Sequence, residues 1–561
     1  MVLFISSFLF AQTHIPSGDV SGNWTIEDSP YIVDGHITVP MDSTLTIDAG
    51  VNVVFSGHYY MEIDGQLLAE GTINDTIKFT AQDTTVGWLS IHFIDTNINE
   101  QETSRIEYCK VEYGKAVYGG GIYCDSSSPN IFNTLIANNE VSDYGGGISC
   151  VNSSSPTLIN VTIKNNTAQA YSGIYCKNNS NIILQNVNII DNYGTAFYAE
   201  ESSSPTLENV LIKGNQGGGF ICHTAENVIL NNVLIRDNRS GITILGVANT
   251  RITNTSILGN RERGINLGGC PDAVLKNIIL RCNGGASAGG LNVFDSDVYV
   301  INALISHNRG EYTGGIYSSG SHINLTNVTV TRNIPMGVIR VGGMFCENQS
   351  DIIIRNSIIW NNTDGELFLY GENTHNLSYS DIGEWEWEGV GIIDANPLFT
   401  DSDFHLCEGS LCIDSGDPDS LYSDIEDPNN PTYALYPAMG TIRNDMGYYG
   451  GHGAYNPYAS ESNDELQITN YELDNYPNPF NPSTTISYQL PKNVKDAKIE
   501  IYNLKGQFVR KLDVKSEKSG IGKVIWDGRN DNGEFVGSGV YFYKLNVNGK
   551  TIAAKKCLML K

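Results

Sequence analysis

Asn209-Val210-Leu211-Ile212-Lys213-Gly214-Asn215 decides the fold. An asparagine, an alternating apolar run and a second asparagine six residues on recur ten times. The first asparagines are Asn133, Asn160, Asn186, Asn209, Asn232, Asn254, Asn277, Asn302, Asn327 and Asn356. Each is followed six residues later by another, from Asn139 to Asn362, and copies lie 22 to 29 residues apart. A core of fixed length inside a variable period is a constant structural unit joined by loops of changing length. Each copy also holds a short apolar run after a small residue, such as Gly121-Ile122-Tyr123-Cys124 or Gly173-Ile174-Tyr175-Cys176. Short runs rich in Val and Ile, bounded by Gly, Asn and Ser, read as strands, and the copies leave no room for a crossover helix. Each copy is therefore predicted to be one coil of a right-handed parallel β-helix. Both sets of asparagines are expected to be structural: they tolerate the left-handed backbone of a bend, and their amides can bond between coils stacked at ~4.8 Å.

Working outward, the 561 residues allow several domains, and the net charge of −28 argues against nucleic acid as a main partner. The charge is uneven. Residues 474–561 hold 15 Lys and Arg against 8 Asp and Glu, or +7; the remaining 19 and 54 give −35. Two domains with different partners are expected. Met1 to Ala11 reads as the end of a secretory signal lacking its basic start. Cys124, Cys150 and Cys176, with Cys222 and Cys346, share one coil position and are expected as buried free thiols. Cys407 and Cys412 sit in a loop-like segment and would suit a disulfide in an exported protein.

Residues 19–118 carry Thr44-Leu45-Thr46-Ile47, Val51-Asn52-Val53-Val54-Phe55 and Gly65-Gln66-Leu67-Leu68-Ala69-Glu70-Gly71-Thr72, and read as opening coils and cap. This stretch resembles the N-terminal part of exported bacterial right-handed β-helix proteins, a likeness of architecture rather than activity. Residues 119–362 are the ten clear coils. Residues 363–460 lose the repeat, resemble the closing segment of the same proteins, and are expected as the C-terminal cap. Gly451-His452-Gly453 is similar to the Gly-His-Gly of polygalacturonases, but without the aspartates those enzymes place on the coils. Residues 461–473 read as a polar linker.

Residues 474–561 open with Tyr476-Pro477-Asn478-Pro479-Phe480-Asn481-Pro482 and continue through Ile499-Glu500-Ile501-Tyr502-Asn503-Leu504-Lys505-Gly506, Trp526-Asp527-Gly528 and Gly539-Val540-Tyr541-Phe542-Tyr543. In order and extent the segment resembles a type A sorting domain of the type IX secretion system, related to the immunoglobulin-like domain of flagellar hook-capping proteins. The resemblance implies a small β-sandwich and the type IX machinery as partner. It also implies release to the outer surface, attached there or free, of a Gram-negative-type bacterium. Cys557 stands where the family has a bulky apolar residue. The expected fold class is thus all-β: a β-helix followed by an immunoglobulin-like sandwich.

Coil register gives the candidate chemistry. Arg236, Arg239, Arg261, Arg263, Arg281, Arg309 and Arg332 fall on one edge, with Asp237 and His307 among them. One reading is a groove for an acidic polysaccharide, because arginine forks match carboxylates. Arg281 or His307 could then be the base of a β-elimination, with Asp237 a weaker catalytic candidate. The other reading pairs these arginines with Asp237, Glu262 and Glu311 as surface ion pairs. Asp414, Asp417 and Asp419 could hold calcium, but lack the regular spacing of a calcium loop and read rather as a solvated loop. No other cofactor is expected. Three functions stay open: a glycan-binding or adhesive surface protein using the basic strip and exposed Tyr123, Tyr175 and Tyr198; a polysaccharide lyase or hydrolase; and a structural stalk.

Overall fold

The computed structural model describes residues 12–96, 103–337, 341–384, 387–453 and 473–559, the last without 477, 479, 490–496, 504, 506, 515–520 and 548–549. The signal expected at 1–11 and residues 461–472 of the expected linker lie outside the described residues. The chain forms two compact units, Met1–Ser462 and Asn463–Lys561.

The first unit is a parallel β-solenoid of about 14 turns. Each coil contributes to two sheets. One carries the asparagine repeat, as in Thr206–Lys213, Asn227–Arg236 and Asn249–Leu258, paired in register with Val210 opposite Val233 and Leu230 opposite Ile252. The other, here the tyrosine sheet, runs through Ile122–Asp125, Ile148–Val151, Tyr171–Cys176, Thr195–Ala199 and Gly218–His223. Alternation turns Val210 and Ile212, or Ile122 and Cys124, into one continuous core. Cys124, Cys150 and Cys176 stack in register with Ala199 and Cys222 after them, all four thiols buried and free, as the coil position predicts.

The two asparagine sets divide the work. The first asparagine of every copy takes the left-handed bend, with φ from 49° to 57°. The second does not. The residue before it bends instead, from Asn138 to Asn361, and frees the asparagine side chain to turn inward. There Asn139, Asn166, Asn192, Asn215, Asn238, Asn260, Asn283, Asn308, Asn333 and Asn362 form a buried ladder, each Nδ2 donating to the next Oδ1 at 2.9–3.3 Å. Each of those oxygens also accepts the backbone N–H of the preceding asparagine, so both ends of each amide in this ladder are bonded. The ladder starts at the Gly114 N–H and ends on the Glu366 carboxylate. The outer ladder runs the other way: Asn160 donates to Asn133, and so on to Asn232 donating to Asn209; Asn254 then donates to Asn231, and Asn277 to Asn254.

Parallel pairing continues past 362, through Leu367–Tyr370, Thr374–Ser378 and Asp381–Ile382. The chain then turns back along the outside of the asparagine sheet as a strap. Ile279 and Leu304, at outward positions, are buried under Phe404, Tyr448 and Tyr449; Ile358 lies under Leu406, Cys412 and Met446. Asn302 and Asn327 leave their ladder and donate to the strap carbonyls of Tyr448, Gly450, Asp445 and Gly447. Cys407 and Cys412 are free rather than bridged, and the Cys412 thiol donates to Asp381 at 3.3 Å.

The second unit pairs a three-stranded antiparallel sheet (Leu473–Tyr476, Thr484–Gln489, Ile521–Trp526) with a four-stranded one (Phe508–Asp513, Ala497–Asn503, Gly539–Val547, Lys550–Met559). Phe480, Ile499, Ile501, Trp526, Tyr543 and Cys557 form its core.

Candidate functional site

The expected arginine strip is divided among different partners. Arg236 pairs with Asp237 at 2.8 Å and Arg239 with Glu262 at 2.9 Å. Arg281 is 19% exposed and pairs with Asp403 of the strap at 3.1 Å. Phe404 packs against His307 and lies under the guanidinium groups of Arg281 and Arg332. Burial, then the neighbouring Arg281 and Arg332, holds the His307 imidazole below its ordinary pKa. His307, Arg332 and Asp237 all occupy the left-handed corner position, so the coil bend fixes their place. Arg261 and Arg309 are exposed. The calcium candidates are occupied within the strap. Asp414 accepts from Thr441, Asp417 from the Asp419 N–H, and Asp419 from the Leu421 N–H.

The tyrosine sheet carries the denser polar arrangement. Tyr118, Tyr144 and Tyr171 stand in register at its edge, and Tyr123, Ser149, Tyr175 and Tyr198 in register on its outer face. Their rings stack along the solenoid: Tyr144 lies 5.3 Å from Tyr171 and 5.1 Å from Tyr175, and Tyr171 3.7 Å from Tyr198. Stacking buries what the alternation left outward. Tyr175 and Tyr198, expected to be exposed, are 4% and 6% exposed. Tyr118 ends the row at 45%. Because the faces are spent on each other, what the row presents is the edges of Tyr118, Tyr123, Tyr144 and Tyr171. Tyr175 and Tyr198 both donate to Glu200, at 2.7 and 3.2 Å, and Tyr198 meets His223 Nδ1 at 3.1 Å. Lys177 pairs with Glu201 at 3.0 Å. Burial raises the Tyr175 and Tyr198 phenols, raises Tyr123 to about 12 and lowers His223. At neutral pH the row is thus a line of protonated hydroxyls around a carboxylate, suited to hydrogen-bonding a polyol. His92 and Tyr60 extend it at 5.4 Å per step beyond Tyr123. The edge tyrosines had a sequence signal: Tyr118-Gly119-Gly120-Gly121-Ile122 recurs as Tyr144-Gly145-Gly146-Gly147-Ile148.

Three family models match parts of the chain: "Right handed beta helix region" over 172–339, "Periplasmic copper-binding protein (NosD)" over 60–239, and "FlgD Ig-like domain" over 478–551. No three His, Cys, Asp or Glu side chains group as a metal would require among the described residues, so no step here runs through copper. No curated protein matches the chain. Among solved structures, latent PorU from Porphyromonas gingivalis is 29% identical over 16% of this chain and 9% of its own length, with a TM-score of 0.15. A periplasmic alginate epimerase is 10% identical over 67% of this chain and 85% of its own, with a TM-score of 0.33. The A-module of a mannuronan C-5 epimerase from Azotobacter vinelandii is 13% identical over 63% and 90%, with a TM-score of 0.26. At these values the likenesses carry no argument about activity.

Proposed function

We propose that the chain is an exported glycan-binding protein whose ligand lies along the tyrosine sheet. The observation that carries this is the in-register row of stacked tyrosines, two of which, Tyr175 and Tyr198, donate their hydroxyls to Glu200. Sugars are held by arrays of hydrogen bonds from preformed, low-entropy side chains, and stacked tyrosines are preformed. Arg281 and His307 lend the lyase reading no support, since strap residues cover both. Export through the type IX machinery rests on the resemblance of 474–561.

The test is retention of the full chain on immobilised glycans, with Tyr144→Ala and Tyr118→Ala as variants. Loss of at least tenfold in affinity with both, at unchanged circular dichroism, supports the reading. Retention that ignores both variants but falls with Arg261→Ala and Arg309→Ala would move the ligand to the arginine edge. No retention on any glycan sinks it. Export is tested separately: removing 474–561 should leave the protein in the periplasm of its own cell.

A further inference from the structure

The tyrosine sheet is short of positive charge. Along its outer face and the adjoining corner lie Glu62, Asp64, Asp125 and Glu200, and its two lysines are already engaged, Lys115 by Glu140 at 3.0 Å and Lys177 by Glu201 at 3.0 Å and Glu200 at 4.0 Å. Burial first, and neighbouring carboxylates after it, raise the pKa values of Glu62 and Asp64. A second feature is independent of charge. Ser149, 1% exposed, stands between Tyr123 and Tyr175 in the same row, and its hydroxyl has no hydrogen-bond partner among the described residues. A buried hydroxyl left unpaired costs stability and calls for a partner.

Resting on the glycan reading above, we propose that the ligand of the tyrosine sheet is a polymer of free amino sugars, lying parallel to the solenoid axis and bound through its ammonium groups. An ammonium supplies what this face lacks. It makes charge-assisted bonds to Glu200 and Asp125, and its sugar hydroxyls meet the tyrosine edge and Ser149. The coils repeat at ~4.8 Å, comparable to the advance of an extended pyranose chain per residue, so successive sugars meet successive coils. A uronate polymer would bring like charge onto the same row and be repelled.

The experiment is calorimetric titration of the full chain with three hexamers: glucosamine, N-acetylglucosamine and mannuronate. Glucosamine hexamer should bind at least tenfold tighter than its acetylated counterpart, and the preference should shrink with added salt. Glu200→Gln should remove most of the preference. Because Glu200 also receives two tyrosine hydroxyls, Asp125→Asn is the second variant, with near-ultraviolet circular dichroism checking that the row is intact. Equal or tighter binding of the acetylated or the mannuronate hexamer overturns the inference and leaves the glycan reading standing. A preference untouched by either variant also overturns it. Failure of all three hexamers overturns the inference, and the glycan reading then stands or falls by the retention test above.

Discussion

Asparagine does two jobs in this chain, and substitution should separate them. Asn238 is fully buried, and its Oδ1 accepts both the backbone N–H and the Nδ2 of Asn215. Asn238→Ala leaves the buried Asn215 N–H without its acceptor and takes one acceptor from the Asn215 Nδ2, and should cost on the order of 3 kcal/mol, read as a fall in the denaturant midpoint. Asn209 is a left-handed, half-buried bend. Asn209→Gly keeps that backbone and should cost about 1 kcal/mol or less, whereas Asn209→Val adds left-handed strain of about 1–2 kcal/mol. Equal losses for Gly and Val would refute the bend assignment. The repeat made both positions visible in the sequence, but not their division, because position in a repeat does not say which way a side chain turns.

Glu366 closes the buried ladder, and its pKa is raised to about 7, by burial first, against the opposing hydrogen bonds from Asn362. A carboxyl that holds its proton more tightly when folded contributes fully below its unfolded value of about 4.3, and that contribution fades as pH rises through about 7. Glu366→Gln keeps an acceptor for Asn362 without the charge. It should raise the melting temperature at pH 8 and change little at pH 4. A variant no more stable at pH 8 than the parent would contradict the burial of charge at this end.

At the scale of elements, the strap carries its own pH dependence. Asp424 is raised to about 8 and Asp445 to about 7, each by burial before any other cause. Both accept backbone bonds that hold the strap in shape: Asp424 from Gly451 and Asp445, Asp445 from Asp414 and Met439. Since the folded form binds these protons more tightly, strap stability should be greatest below about 4 and decline between there and 8. Hydrogen exchange over 399–450, corrected for intrinsic rate, should be faster at pH 9 than at pH 6, and Asp424→Asn should narrow the difference. Exchange independent of pH would dismiss the effect. The strap was not legible in the sequence, since the end of a repeat says where winding stops and not where the chain goes next. Ile279, Leu304 and Ile358, apolar at outward positions, hinted at a cover, but Leu135, Leu211 and Leu234 are apolar at the same coil position without one from the strap. The tyrosine edge was missed for a different reason. Tyr171 stands one residue nearer its strand than Tyr118 and Tyr144, so the column breaks step with the repeat.

At the scale of the molecule, the solenoid unit is a stack in which each coil touches its neighbours, so its stability is a sum of coils and interfaces. Removing Asn209–Asn231 joins Glu208 to Asn232, and the register already pairs Glu208 with Asn231 and Lys213 with Arg236. That variant should fold with an unchanged circular dichroism spectrum, losing stability in proportion to one coil. Removing half as many residues should abolish folding, because core and surface positions would exchange. Failure of the whole-coil deletion to fold would mean that the strap depends on solenoid length.

The buried amide ladder has a direction. Every amide donates forward to the next asparagine and back to a backbone carbonyl of the preceding coil, and Glu366, an acceptor with nothing to pass on while ionised, receives the last of the forward bonds. A coil appended beyond that point would find no amide to continue from, while one inserted between any two asparagines would be received on both sides. The ladder can therefore lengthen or shorten over generations only from within, by duplicating or losing middle coils, and relatives of different length should keep its two ends.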